Sequence, residues 1–246
     1  MQITTDALVI KVMDVGESDR LLTLLSKDYG IIRAFASGAK KIKSKKYAST
    51  SFVCYSHFIL KKVNDTFRVR EADLITSFFK IGCDILTITL QQYFCELAAV
   101  LSPVETEAED FLRLTLNSLH QLNVDKLPPK ILKPTFELRM LSLSGYMPDL
   151  VACNNCGSFE DDYYYFDYIN GILECKDCIT QKGGRAVLHA TVLAAMRHIV
   201  YSDFNKLFSF SIPESAADRL NKITENYLLH QTEHKFYSLD FYHSIV

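Results

Sequence analysis

Four cysteines set the tightest limit on what this chain can fold into. Cys153-Asn154-Asn155-Cys156 is followed, after 18 intervening residues, by Cys175-Lys176-Asp177-Cys178. Each C-x-x-C pair turns two sulfurs toward one point, and two pairs place four soft thiolates around one ion in a tetrahedron with no open position. The spacing predicts a structural zinc site and not a reaction centre. Gly157 and Asn170-Gly171 supply turn chemistry, the latter a hairpin signal, and Tyr163-Tyr164-Tyr165-Phe166-Asp167-Tyr168 is rich in strand formers. The stretch from about 149 to 184 therefore reads as two knuckles joined by a small β-ribbon. Disulfides or redox-active dithiols are the other chemistry that C-x-x-C pairs allow, and the latter would need free reactive thiols.

The remaining cysteines, Cys54, Cys83 and Cys95, lie among apolar residues and read as buried thiols, which suits a reducing compartment. No apolar run reaches the roughly 18 to 20 residues of a membrane span. The start, Met1-Gln2-Ile3-Thr4-Thr5-Asp6, lacks the charged and apolar regions of a signal peptide, so the expected place is the cytoplasm, with no membrane partner. A chain of 246 residues, 48% hydrophobic, can bury a core and hold two units.

Charge is unevenly spread. Residues 1 to 80 carry 14 Lys and Arg against 8 Asp and Glu, whereas the remainder carries 13 against 21. A basic first third on an acidic body points to a polyanion meeting the first part while the rest supports it or binds proteins. Within that third, hydrophobic alternation and turn residues predict five short strands: Ala7 to Val12, Arg20 to Leu25, Ile31 to Ser37, Phe52 to Lys62 and Phe67 to Ile75, with a turn at Asn64-Asp65. In the third strand Ile32, Ala34 and Ala36 share one face, and such small residues suit a tightly curved interior. Lys40-Lys41-Ile42-Lys43-Ser44-Lys45-Lys46 holds five lysines in seven positions and must be a solvated loop. Five strands and a basic loop, with no intervening helix, predict an oligonucleotide-binding barrel over residues 1–80; SH3-like barrels share the pattern. The expected DNA site is Lys40, Lys41, Lys43, Lys45 and Lys46, helped by Arg33, Arg68 and Arg70 on strand faces, with Phe35 or Tyr55 as exposed stacking surfaces or barrel packing. A mobile solubilising loop is the plainer reading of the lysine run.

From Ser77 onward the hydrophobic period lengthens to about 3.5, which marks helices. Leu86, Leu90, Leu97 and Leu101 line one face from Asp84 to Leu101; Thr106-x-x-Glu109 has capping-box form ahead of Leu112, Leu116 and Leu119. Leu127-Pro128-Pro129 opens a third segment that closes at Gly145, with Pro134 marking its true start or a kink. Beyond Gly183-Gly184, Leu188, Val192, Ala195 and Ile199 form another apolar face, and Pro213-Glu214-Ser215 starts a last helix. The whole is thus α+β: a barrel, then a helical domain over 81–246 with an embedded ribbon. His230 and His234 stand four apart but have no third ligand nearby, and read as a solvated pair. No Gly-rich phosphate loop, G-x-S-x-G elbow or H-E-x-x-H is present, and nothing argues for an enzyme.

Three further stretches stand out: Gly16-Glu17-Ser18-Asp19-Arg20-Leu21-Leu22 through Gly30 to Ser37-Gly38-Ala39-Lys40-Lys41; Phe136-Glu137-Leu138-Arg139-Met140-Leu141 with Gly145-Tyr146-Met147-Pro148-Asp149-Leu150 leading into the first C-x-x-C; and Tyr227-Leu228-Leu229-His230 with Lys235 and Ser238. Together they resemble the RecO family of bacterial recombination mediators. The resemblance implies an oligonucleotide-binding domain, a helical domain and a zinc module that some members have lost. It further implies binding of single- and double-stranded DNA, annealing of complementary strands, and loading of RecA onto strands coated by single-strand-binding protein, with RecR and often RecF as partners, in the bacterial cytoplasm at the nucleoid. Ser49-Thr50-Ser51-Phe52-Val53-Cys54 departs from the family's approach to the fourth strand. The reading from another class is a zinc-containing scaffold whose basic loop steadies an acidic partner protein.

Overall fold

The computed structural model describes residues 1–64, 66–124, 127–179 and 184–246. Asp65 of the expected turn, Gly183 of the expected break and residues 180–183 of the ribbon lie outside the described residues. The chain forms two compact units, Met1–Val124 with Phe236–Val246, and Asp125–Lys235.

In the first unit, β1 (Gln2–Val15), β2 (Asp19–Ser26), β3 (Gly30–Ala36), β4 (Cys54–Val63) and β5 (Thr66–Ser77) close into a barrel in the order β1-β2-β3-β5-β4. The crossover that sets β5 between β3 and β4 is the Greek-key arrangement of an oligonucleotide-binding barrel. Alternation along β3 is as the sequence predicts: Ile32, Ala34 and Ala36 are buried, Arg33 is exposed and Phe35 half-buried. The inward alanines leave room for Phe58, Phe67, Leu22, Leu24 and Leu60, each worth about 1.5–3 kcal/mol when fully buried.

Two expectations are corrected here. The segment between β3 and β4 does contain a helical turn, α1 (Lys46–Ser49). The fourth strand begins at Cys54 rather than Phe52, because the buried Val53 has φ 52°, a left-handed conformation costly for a β-branched residue. Hydrogen bonds impose it, from the Val53 N–H to the Val9 carbonyl (2.9 Å) and from the Phe78 N–H to the Val53 carbonyl (3.0 Å).

Helices α2 (Ile85–Leu101), α3 (Glu109–Val124) and α7 (Tyr237–Ile245) belong to this unit. Asp84 caps α2 by accepting the Thr87 N–H at 2.8 Å. Tyr93, Phe94 and Cys95 are buried along with Leu90 and Leu97, so α2 is covered on more than one side, by α3 and by α7. Helix α7 was not foreseen; Glu96 of α2 accepts the Tyr237 and Ser238 N–H groups at 3.2 and 2.9 Å and so caps its start. Thr106 does not cap α3, which starts at Glu109, whose carboxylate turns to Lys27 at 3.1 Å. Gly30, at φ +57°, has no substitute: a Cβ there would meet the Pro103 carbonyl oxygen and stand 2.8 Å from that of Thr106.

The second unit holds α4 (Pro129–Leu143), β6 (Asp149–Cys153), β7 (Tyr163–Asp167), β8 (Ile172–Cys175), β9 (Arg185–His189), α5 (Ala190–Tyr201) and α6 (Glu214–Thr232). Pro134 lies inside α4 and deprives the Lys130 carbonyl of its helical partner; the Asn221 side-chain amide of α6 donates to that carbonyl instead. The helix closes at Gly145 (φ 92°) with the Tyr146 N–H on the Leu141 carbonyl at 2.9 Å. The ribbon is a four-stranded sheet, ordered β6-β8-β7-β9. Strands β6 and β9 were not foreseen, and Leu188, assigned above to a helical face, sits on β9. No helix among the described residues is long and apolar enough to cross a membrane.

Candidate metal centre and nucleic-acid interface

Strand β6 ends at Cys153, and the turn behind it, closed by the Gly157 N–H on the Cys153 carbonyl at 2.9 Å, returns Cys156. Strand β8 ends at Cys175, and a second turn, closed by the Ile179 N–H on the Cys175 carbonyl at 3.2 Å, returns Cys178. The four sulfurs lie within 4.8 Å of one another, the one such group of potential ligands among the described residues. Cys156 Sγ and Cys175 Sγ are 3.7 Å apart. A tetrahedral zinc with bonds of about 2.3 Å needs sulfurs about 3.8 Å apart, whereas a disulfide needs about 2.05 Å. Burial alone would raise the Cys153 thiol, but N–H groups of Cys156, Cys175 and Asn155 point at its sulfur and outweigh this, bringing its pKa down to about 6. Such a donor set suits a thiolate-binding ion held in a closed site. Of the other cysteines, Cys54 and Cys95 are buried as expected, and Cys83 is half-buried.

The lysine loop lies at one end of the barrel, and its five ammonium groups are not equivalent. Lys41, Lys43 and Lys45 are exposed. Lys40 Nζ lies 3.0 Å from Asp14, and Lys46 Nζ donates to the Val69 carbonyl at 2.9 Å, so these two also tie the loop to β1 and β5. Arg20 reaches into the same loop from β2: Nη1 donates to the Tyr47 carbonyl at 2.9 Å and to Thr50 Oγ1 at 3.1 Å, and the guanidinium lies over the Tyr47 ring at 4.8 Å.

Register assembles a second basic surface on the outside of the barrel. Lys11 of β1 faces Thr23 of β2, which faces Arg33 of β3. Two pairs further along, on the same face, Met13, Leu21 and Phe35 follow in line across β1, β2 and β3, and Phe35 continues to Arg68 of β5 and Lys61 of β4. Directly opposed residues on neighbouring strands share a face. Phe35, half-buried, therefore sits between apolar Leu21 and the exposed cations Arg33, Arg68 and Lys61, an aromatic surface with a basic border. Lys61 directly opposite Arg68 is a like-charge pair, destabilising by itself and relieved by a bound anion. Arg70 is exposed at the bulge where the β4–β5 register slips between Ile59 and Leu60. Tyr55 is not brought to this surface: it is half-buried, paired with Leu8, six residues and about 20 Å along β4 from Lys61. Lys11 and Lys61 escaped the sequence reading because a lone lysine on a strand carries no signal until its cross-strand neighbours are known.

His230 and His234 are exposed, and His230 stacks on Tyr168 with ring centroids 5.7 Å apart.

Comparison with known proteins agrees with this architecture. Residues 1–78 match the family model described as recombination protein O N terminal, and residues 83–240 that described as recombination protein O C terminal. A DNA repair protein RecO of Acetivibrio thermocellus is 35% identical over 238 residues, covering 96% of this chain and 94% of its own length. A DNA repair protein RecO of Dehalococcoides mccartyi is 31% identical over 209 residues (85% and 82% of the two chains), and one of Clostridium novyi is 27% identical over 240 residues (97% and 92%). With both ends matched in order by the family's own models and relatives aligned over nearly the full length, the chain belongs to the recombination protein O (RecO) family of bacterial DNA repair proteins.

Proposed function

We propose that the chain is a non-enzymatic, DNA-binding recombination mediator that holds single- or double-stranded DNA on the barrel and anneals complementary strands. The observation that carries this is the outer barrel surface, where cross-strand register sets Phe35 among Arg33, Arg68 and Lys61 beside a loop presenting Lys41, Lys43 and Lys45. Lysine follows phosphates without demanding bidentate geometry, and one aromatic face stacks on any base, so the surface suits a protein that accepts every sequence. Annealing needs two polyanions brought together, and cations on both the loop and the sheet can screen both. The four cysteines hold one structural zinc as thiolates, and the metal shapes the ribbon without taking part in DNA chemistry. Family membership supports partnership with RecR, with RecF, and with single-strand-binding protein, through which RecA is loaded.

Oligonucleotide binding measured across salt concentrations tests the reading. With about three to five phosphates contacted, log K against log salt has a slope of roughly −2 to −4 on single strands. Replacing Lys41, Lys43 and Lys45 by alanine flattens it by about two units and slows annealing, with zinc content and helicity unchanged. A triple variant that binds and anneals like the parent removes the loop from the site. Failure of the parent to bind oligonucleotides at low salt favours a zinc-containing scaffold with an acidic protein partner.

A further inference from the structure

A loop with five lysines in seven positions repels itself, and nothing in its composition gives it a fixed shape. Beside the ties of Lys40 to Asp14 and of Lys46 to the Val69 carbonyl, its two ends are held by Ser18 and by the first two residues of β2, Asp19 and Arg20. The Ser18 carbonyl accepts the Lys40 N–H at 2.9 Å, and Asp19 Oδ1 accepts the Gly38 N–H at 2.8 Å, which together hold the loop's entry. Arg20 holds its exit, through the Tyr47 carbonyl, Thr50 Oγ1 and Ser51 Oγ at 2.9, 3.1 and 3.3 Å and through the Tyr47 ring. Arg20 is only 9% exposed, and its guanidinium is taken up by these loop groups. The Gly38 N–H, with help from the Ser18 hydroxyl, holds the Asp19 carboxyl below its ordinary pKa, so Asp19 is an anion at neutral pH. Asp14 adds a countercharge between the two halves, at 3.0 Å from Lys40 and 4.0 Å from Arg20.

We infer that Asp19 and Arg20 are positioning residues for DNA binding: they do not touch DNA but clamp the two ends of the basic loop, so that its lysines meet phosphates as a preformed set. The inference rests on the loop being a phosphate contact. Its physical content is that a preformed loop spares the ordering cost that a loose one meets on binding. Arginine is suited to the task because its planar guanidinium lies over the Tyr47 ring while Nη1 donates to the loop's acceptors; a lysine ammonium has no plane to stack and a different reach.

A clamp and a contact leave different signatures. Losing a contact lowers the salt slope, because fewer counterions are released. Losing the clamp leaves every lysine in place, so affinity falls at all salt concentrations while the slope stays. The full-length chain carrying Arg20→Lys, and separately Asp19→Ala, is titrated with a fluorescent oligothymidylate across salt concentrations, and its loop is probed by limited trypsin cleavage after Lys41, Lys43 and Lys45. The expected result is about five- to twentyfold weaker binding at each salt concentration, a slope within about half a unit of the parent's, and faster loop cleavage. Parent-like affinity in both variants despite a loosened loop overturns the clamp. A third variant, Arg20→Gln, removes the charge, and a slope reduced in it by about 0.7 unit also overturns the clamp, by making Arg20 itself a phosphate contact. Should Arg20→Lys lose its cooperative unfolding transition, Asp19→Ala, at a partly exposed position, decides the matter. Parent-like binding by the Lys41, Lys43, Lys45 triple overturns the site and the clamp together, whereas parent-like binding by the clamp variants alone overturns only the clamp.

Discussion

Lys133 occupies a core position of α4, only 1% exposed, with its ammonium 2.7 Å from Glu137 and 2.8 Å from Glu225 of α6. Glu137 is itself fully buried and accepts the Thr224 hydroxyl at 2.7 Å. Burial alone would lower the lysine's pKa, but the two carboxylates outweigh it and hold it above the ordinary 10.5. With the folded value raised above the unfolded one, the stabilisation is fully present below about pH 10.5 and is lost as pH climbs through the folded value. Removing one member of such a group strands a buried charge, so Lys133→Met is expected to cost about 3–5 kcal/mol, read as a lower urea midpoint. Adding Glu137→Leu should restore much of that, because the buried carboxylate is then gone as well. A Lys133→Met chain as stable as the parent would mean that α4 and α6 are held by their apolar contacts alone.

At the scale of elements, the four-cysteine sheet shows how a short segment without a large core of its own keeps a shape. Strands β6 and β8 pair in parallel through Asp149 with Ile172 and Cys153 with Leu173, and each ends at a cysteine. The strands therefore set where the sulfurs stand, and a metal held between them would tie the strand ends together. Tyr164, Phe166, Leu173 and Leu188 are buried and make one side of the sheet apolar. Cys175→Ser is expected to abolish metal binding and loosen this sheet and α5, which follows β9 without a break, while the barrel and its lysines keep their DNA affinity. Elemental analysis of parent protein purified without chelator should give about one zinc per chain; less than about half, with four titratable thiols under native conditions, contradicts a zinc site.

For the whole molecule the governing fact is the division of charge, basic over residues 1 to 80 and acidic beyond. An acidic surface repels DNA phosphates, which leaves residues 81 to 246 better suited to proteins than to nucleic acid. If so, RecR and single-strand-binding protein should be retained by the alanine triple in the basic loop as well as by the parent, in size-exclusion or pull-down assays at low and moderate salt. Loss of both partners in the triple would place protein binding on the barrel, and no binding by either form would remove the mediator role.

Much of this was legible in the sequence because it depends on neighbours close in the chain. Thiolate chemistry and C-x-x-C spacing named the four cysteines that the fold brings together, Cys153, Cys156, Cys175 and Cys178, and two-residue alternation named the five barrel strands and the inward face of the third. The sequence also set the charge of the first third and the run of the main helices. The tertiary structure alone decided what depends on partners far apart in sequence. Register across five strands aligned Lys11 with Arg33, and Phe35 with Arg68 and Lys61. Strand β9 exists because Arg185–His189 found β7, and α7 because Glu96, 141 residues before Tyr237, caps it. Arg20 and Lys133 belong to residue types that usually face water, yet both lie buried, because acceptors 27 to 31 and 92 residues away close around them. A polar side chain declares its chemistry in the sequence, but whether it faces water or a buried partner is fixed only when the chain folds back on itself.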